Sequence, residues 1–135
     1  MAKLLLVDDD PILLALLGRL LRRAGHAVTE ANSGEECLAV AAREPFDVII
    51  TDVMMPGLDG FQLTRRLRAQ PATRDVLILI VTSHLQGPDP AQAMLAGADG
   101  YDMKTVNVTR LNEKIASLVA ARNAREARPA AVAAG

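Results

Sequence analysis

The chain has 135 residues, the size of a single domain, because a second hydrophobic core would need more chain. Half of its residues are hydrophobic, 23% are charged and the net charge is -1, which supplies a real core and excludes disorder, collagen and coiled coil. A nearly neutral chain lacks the positive field that neutralises a phosphate backbone, so no nucleic-acid partner is expected, and Arg65, Arg66, Arg68 and Arg122, Arg125, Arg128 read as solvated helix faces.

At the N-terminus four apolar residues, Leu4 to Val7, precede three aspartates, too few for a signal-peptide core. No apolar run nears the roughly 18–20 residues of a membrane span, so the expected compartment is the cytoplasm, with no membrane insertion, and the Asn107-Val108-Thr109 sequon is fortuitous. Unbroken apolar runs at Leu4–Val7, Val48–Ile50 and Val76–Val81 suit strands of a parallel sheet covered on both faces. His26–Glu30 and Gly100–Met103 supply two weaker strands.

Helical spacing fills the gaps. Leu13, Leu16, Leu17, Leu20, Leu21 and Ala24 form the expected core stripe of the first helix, Cys37 to Ala42 lie in the second, Phe61, Leu63 and Leu67 in the third, and Leu111, Ile115, Leu118 and Val119 in the last. Asp10-Pro11 reads as a cap followed by a proline at the first helical position, and Ser33 and Asp59 cap likewise. Gly25 and Gly97 follow helices where a left-handed residue is usual. Cys37 has no Cys or His at ligand spacing and reads as a buried, reduced thiol. The layout is α/β, five βα units over residues 1–124, followed by a flexible Ala/Pro-containing tail at 125–135.

An open parallel sheet binds ligands outside the carboxyl ends of its strands. There the sequence places Asp8, Asp9 and Asp10, then Asp52, then Thr82 and Ser83, then Lys104. Crowded carboxylates repel unless a cation neutralises them, and Mg2+ takes one or two carboxylates while leaving positions for phosphate oxygens. With a lysine charge and a threonine hydroxyl beside it, such a site suits phosphoryl transfer. Taken singly, each residue has an ordinary reading: Asp10 a helix cap, Asp8 or Asp9 a loop carboxylate, Thr82 a strand end, Lys104 a solvated side chain.

Four segments together resemble the receiver domain of two-component response regulators, chemotaxis regulators among them. They are residues 4 to 11, the segment from Asp47 through Asp52 and Pro56 to Gly60, Val81-Thr82-Ser83, and Ala96 to Tyr101 before Lys104. The resemblance covers about residues 3 to 122. It implies a flavodoxin-like, doubly wound fold with strand order 2-1-3-4-5. It implies that Asp52 accepts a phosphoryl group from a sensor histidine kinase or a histidine phosphotransfer protein. Asp9 would bind Mg2+ directly and Asp8 mainly through water, with Asp52 and the Met54 carbonyl completing the set. Lys104 would contact a phosphoryl oxygen, and Thr82 with Tyr101 would form the switch read by a downstream target protein. The chain would be a monomer or weak dimer, and no enzyme beyond its own phosphorylation and dephosphorylation.

Three departures qualify the resemblance. Thr105 follows Lys104 where most receivers have a proline, so a trans bond is expected there. Pro88 and Pro90 shorten the fourth helix to about Ala91–Ala96, with Asp89 as its cap. The first helix also carries more apolar side chains than one buried face requires, so Ile12, Leu14, Ala15 and Gly18 are expected to form an exposed patch that docks a partner. Met54 and His84 lie two residues beyond Asp52 and Thr82; Met54 offers an attacking water no hydrogen bond, which implies slow to moderate self-dephosphorylation, and His84 reads as a solvated loop residue. Other readings stay open: a pseudo-receiver used as a constitutive docking module, a receiver cut from a longer regulator, and, disfavoured by the idle Asp52 and the lack of a late acidic motif, a haloacid-dehalogenase-like phosphatase built on Asp8 and Asp10.

Overall fold

The computed structural model describes residues 2–82, 90–104 and 107–127. Five strands, β1 (Lys3–Val7), β2 (Ala27–Ala31), β3 (Val48–Asp52), β4 (Leu77–Thr82) and β5 (Gly100–Met103), form one parallel sheet in the order β2-β1-β3-β4-β5. They alternate with α1 (Pro11–Arg23), α2 (Gly34–Arg43), α3 (Gly60–Ala69), α4 (Pro90–Ala96) and α5 (Val108–Ala127). Alternation along each strand divides the core in two. Leu5, Val7, Ile49, Ile78 and Ile80 pack on Cys37, Leu63, Leu67 and Ala93 of α2, α3 and α4. Leu4, Leu6, Val48, Ile50, Leu77 and Leu79 pack on Leu14, Leu17, Leu21, Leu111 and Ile115 of α1 and α5. Both faces of the central strands are dry, so those strands read as continuous apolar runs.

The expected punctuation is present. The Asp10 carboxylate accepts hydrogen bonds from the amides of Ile12 and Leu13, and Ser33 caps α2 through the Glu36 amide. Asp59 and Gln62 form a reciprocal capping box at the start of α3. Gly25 and Gly97 take positive φ.

Three expectations need correction. The buried stripe of α1 is Leu14, Leu17, Gly18 and Leu21, whereas Leu16 is exposed and Leu13 and Leu20 are half-buried. In a helix so rich in leucine, two adjacent stripes fit the helical period equally well, and contacts with β2 select the phase. Gly18 faces Glu30, which pairs with Arg22 at 2.9 Å; a Cβ at Gly18 would stand 2.5 Å from the Glu30 carboxylate. The docking patch expected at Ile12, Leu14, Ala15 and Gly18 is therefore not a surface patch: Leu14 and Gly18 are buried, and the apolar residues left in water are Ile12, Ala15 and Leu16.

Second, Arg68 and Arg122 turn inward. Arg68 donates to the Gly97 carbonyl at 2.9 Å and pairs with Asp99 at 2.7 Å, while Arg122 reaches Asp47. Long stems let these guanidinium groups satisfy carbonyls and carboxylates at element ends. Third, α5 continues to Ala127, three residues into the expected tail, because alanines, Arg125 and Glu126 are good helix formers. The expectations for Ser83, His84, Pro88, Asp89, Thr105, Arg128 and the tail beyond Ala127 fall outside the described residues.

Candidate functional site

The carboxyl ends of β1, β3, β4 and β5 meet at one rim. β1 ends at Val7 and delivers Asp8, β3 ends in Asp52, β4 ends in Thr82, and β5 leads into Lys104. Register does the positioning: Val7 pairs with Thr51, Asp52 with Val81, and Thr82 with Met103, so the residues that close each strand lie level across the sheet.

Asp8, Asp52 and Thr82 are buried, whereas Asp9 is exposed. The Lys104 ammonium lies 2.6 Å from the Asp8 carboxylate and 2.9 Å from that of Asp52, bridging them. The Lys104 amide donates to the Thr82 carbonyl at 2.7 Å, which anchors the base of this side chain to β4. The second oxygens are used too: the Asp52 Oδ1 accepts from the Val53 amide at 2.7 Å, and the Asp8 Oδ1 accepts from the Asp10 amide at 3.0 Å. These bonds hold two buried like charges in defined orientations. Burial pushes the Lys104 ammonium toward losing its proton, but its hydrogen bonds to Asp8 and Asp52 and their charges together outweigh this and hold it above the ordinary lysine value.

Ligand atoms of Asp8, Asp9 and Asp52 all lie within 4.8 Å of one another. Three carboxylates against one ammonium leave two negative charges, and every donor is a hard oxygen, so the cluster fits a divalent, oxygen-seeking cation. Met54 follows Asp52 in the β3–α3 connection with its side chain in water. Tyr101 sits on β5 opposite Ile80 and packs, half-buried, against the core on the α2–α4 side, two positions from the level of Thr82. The structure thus gathers Asp8, Asp9, Asp52, Thr82 and Lys104 at one place, keeps Tyr101 nearby on β5, and leaves Leu14 and Gly18 inside the protein.

Two features were not expected from the sequence. Lys104 bridges Asp8 and Asp52 directly, and Gly60 presses on the main chain of Asp52, where a Cβ would stand 2.3 Å from the Asp52 carbonyl oxygen. The Asp59-Gly60 pair was visible as a helix start, but nothing local indicates which backbone it abuts.

Residues 4–116 match the family model of the response regulator receiver domain. The chain belongs to this family. Receivers are modules of two-component systems, and relatives include the Myxococcus xanthus gliding motility regulatory protein, 43% identical over 102 residues. That alignment covers 76% of this chain but only 13% of the much longer relative. Protein PilH of Pseudomonas aeruginosa is 37% identical over 120 residues, covering 89% of this chain and 99% of PilH. Among solved structures, the response regulator TrrA of Thermotoga maritima, determined in complex with Mg(2+)-BeF, is 30% identical with a TM-score of 0.77, covering 87% of this chain and 99% of that one. Among the described residues no helix is long and apolar enough to cross a membrane.

Proposed function

We propose that this receiver is a phosphorylation-dependent switch whose acceptor is Asp52 and whose donor is a phosphohistidine on a sensor kinase or phosphotransfer protein. The observation that carries this reading is the convergence of Asp52, Asp8, Asp9 and Lys104 at the open end of the sheet, where Asp8 and Asp52 are both buried and both paired with the ammonium and Asp52 closes the central strand β3. An Asp52 oxygen attacks phosphorus as the P–N bond breaks, and the imidazole leaves with its electron pair and takes a proton. Lys104, now paired with Asp8 and Asp52, would donate a hydrogen bond to an oxygen of the transferring phosphoryl group and stabilise its negative charge. Asp8 and Asp9, with Asp52 and the Met54 carbonyl, would hold Mg2+, which supplies charge neutralisation to the phosphoryl group when bound. The Mg(2+)-BeF complex of the Thermotoga relative supports this metal and this chemistry.

Thr82 closes β4, the strand that pairs with β3 at Asp52, and Tyr101 lies on the neighbouring β5; in the proposed switch the Thr82 hydroxyl hydrogen-bonds a phosphoryl group on Asp52 and Tyr101 follows it, toward a downstream protein target. The protein turns over no substrate beyond its own phosphoryl group and works in the cytoplasm. Donor docking is assigned to Ile12, Ala15 and Leu16, the apolar residues that α1 leaves in water beside the rim. Ile12→Glu slows transfer from the cognate histidine donor and leaves phosphorylation by acetyl phosphate unchanged; equal slowing removes this assignment.

The test of the main reading is intact mass after incubation with acetyl phosphate and Mg2+, beside Asp52→Asn. A phosphoryl adduct on the wild type alone is expected. No adduct, together with no binding of beryllofluoride, favours a second reading, a pseudo-receiver acting as a constitutive docking module, which the threonine after Lys104 recommends.

A further inference from the structure

We infer that Gly60 is a positioning residue of the phosphoacceptor site, a backstop that sets where the Asp52 main chain can lie; the inference rests on the reading of Asp52 as acceptor. Gly60 opens α3 with a negative φ, so no left-handed backbone calls for glycine. Helical propensity does not call for it either, since alanine is favoured over glycine by up to about 1 kcal/mol in a helix interior. What glycine provides is room: a Cβ would stand 2.3 Å from the Asp52 carbonyl oxygen, 3.0 Å from the Val53 Cα and 3.1 Å from the Asp52 carbonyl carbon. These are backbone atoms at the end of a fully buried strand, which cannot swing aside as a flexible side chain would.

α3 is also held firmly in that position. The Gly60 amide donates to the Val53 carbonyl at 2.9 Å, and the buried Thr64 hydroxyl donates to the Gly60 carbonyl at 2.7 Å. The capping box between Asp59 and Gln62 fixes the turn just before it. Helix start and strand end are thereby locked together by Gly60, and Val53, which Gly60 touches, donates the amide hydrogen bond that orients the Asp52 carboxylate. The first turn of α3 therefore backs the main chain that carries the carboxylate, whose Oδ1 accepts from the Val53 amide and whose Oδ2 meets Lys104.

In Gly60→Ala the clash relaxes only by moving α3 or the Asp52 backbone by several tenths of an ångström. Site geometry tolerates about 0.5 Å, and a displacement near 1 Å costs about 100-fold in rate. The expected result is a roughly 10- to 100-fold slower phosphorylation by acetyl phosphate and a roughly 10-fold weaker Mg2+ affinity by calorimetry, both measured well below the variant's own Tm. Leu21→Ala, a core truncation on α1 away from the rim, controls for lost stability: its Tm falls while Mg2+ affinity and rate stay within twofold. If Gly60→Ala fails to fold, Thr64→Val against Thr64→Ser decides. Loss of the hydroxyl weakens Mg2+ binding several-fold, and the serine variant restores it. A folded Gly60→Ala with unchanged Mg2+ affinity overturns the inference, as does Thr64→Val matching Thr64→Ser. Wild type that binds Mg2+ yet never gains the adduct overturns the acceptor reading instead, and the Mg2+ comparison still decides the place of Gly60.

Discussion

Replacing Lys104 with methionine keeps the apolar stem and deletes the charge that bridges Asp8 and Asp52. The two carboxylates are 3% and 7% exposed and the lysine 9%, so the variant leaves two like charges facing each other with little water to screen them. Removing one partner of a buried ion pair costs about 3–5 kcal/mol, and the exposed Asp9 at the rim admits enough solvent to place this site at about 3 kcal/mol. For a domain of this size that is a Tm lower by roughly 10 °C in EDTA. Because three carboxylates then face no ammonium, a divalent ion stabilises the variant more than the wild type. Saturation at 100 times Kd contributes about 2.7 kcal/mol to either protein, and the tighter binding expected of the variant narrows the gap. The sign with pH follows from the raised lysine: the contribution of the pairing is complete below the unfolded lysine pKa of about 10.4 and is lost as pH rises through the higher folded value, so the gap stays flat from about pH 6 to 9. The chain has no tryptophan, so the assay is urea and thermal unfolding followed by far-UV circular dichroism, with EDTA and with Mg2+. A gap below about 1 kcal/mol in EDTA, or one that Mg2+ leaves unchanged, refutes the account of Lys104 as the internal counter-ion.

The buried Cys37 thiol is pushed up to about 12 by desolvation, so its reaction with a disulfide reagent at pH 8 is roughly 100-fold slower than that of a free cysteine and becomes complete in urea; fast native labelling contradicts this. On β5, the Arg110 hydrogen bond holds the Asp102 carboxyl below its ordinary value, against a smaller opposing effect of burial. That pairing stabilises above the unfolded carboxylate pKa and is lost as pH falls through the lowered folded value, so Arg110→Ala moves the Asp102 titration upward by NMR; an unmoved titration contradicts it. Arg68→Met removes the donor to the carbonyls of Gly97 and Val76 and the cation beside Asp99, which keeps the Ile78 amide, and costs about 2 kcal/mol in urea unfolding; a loss below about 0.5 kcal/mol means water replaces the guanidinium.

The strands were legible because both faces of the sheet are covered. Val48 to Ile50 and Leu77 to Val81 have no solvent side, so their sequence is continuously apolar and cannot be mistaken for an exposed surface. Helix starts were legible because Asp10, Ser33 and Asp59 act on their own following turns, an interaction complete within four residues. The acids and the lysine of the site were legible as well, since each stands just past a strand and a parallel sheet brings such ends to one rim.

Whatever depends on a residue's near neighbours and on the period of its element was therefore readable from the chain: the α/β alternation, the caps, the left-handed glycines and the set of groups at the strand ends. Tertiary structure alone decided which of two leucine stripes α1 buries, because Gly18 and Leu14 gain their partners from β2 and the sheet rather than from the helix. It alone turned Lys104 from a side chain beside the site into a bridge between Asp8 and Asp52, residues 96 and 52 positions away in the chain. It alone gave Gly60 its meaning, because the atom a Cβ would strike belongs to another element. In each case the deciding energy is a contact between segments distant in the chain, and such contacts leave no periodic trace in the residues that make them.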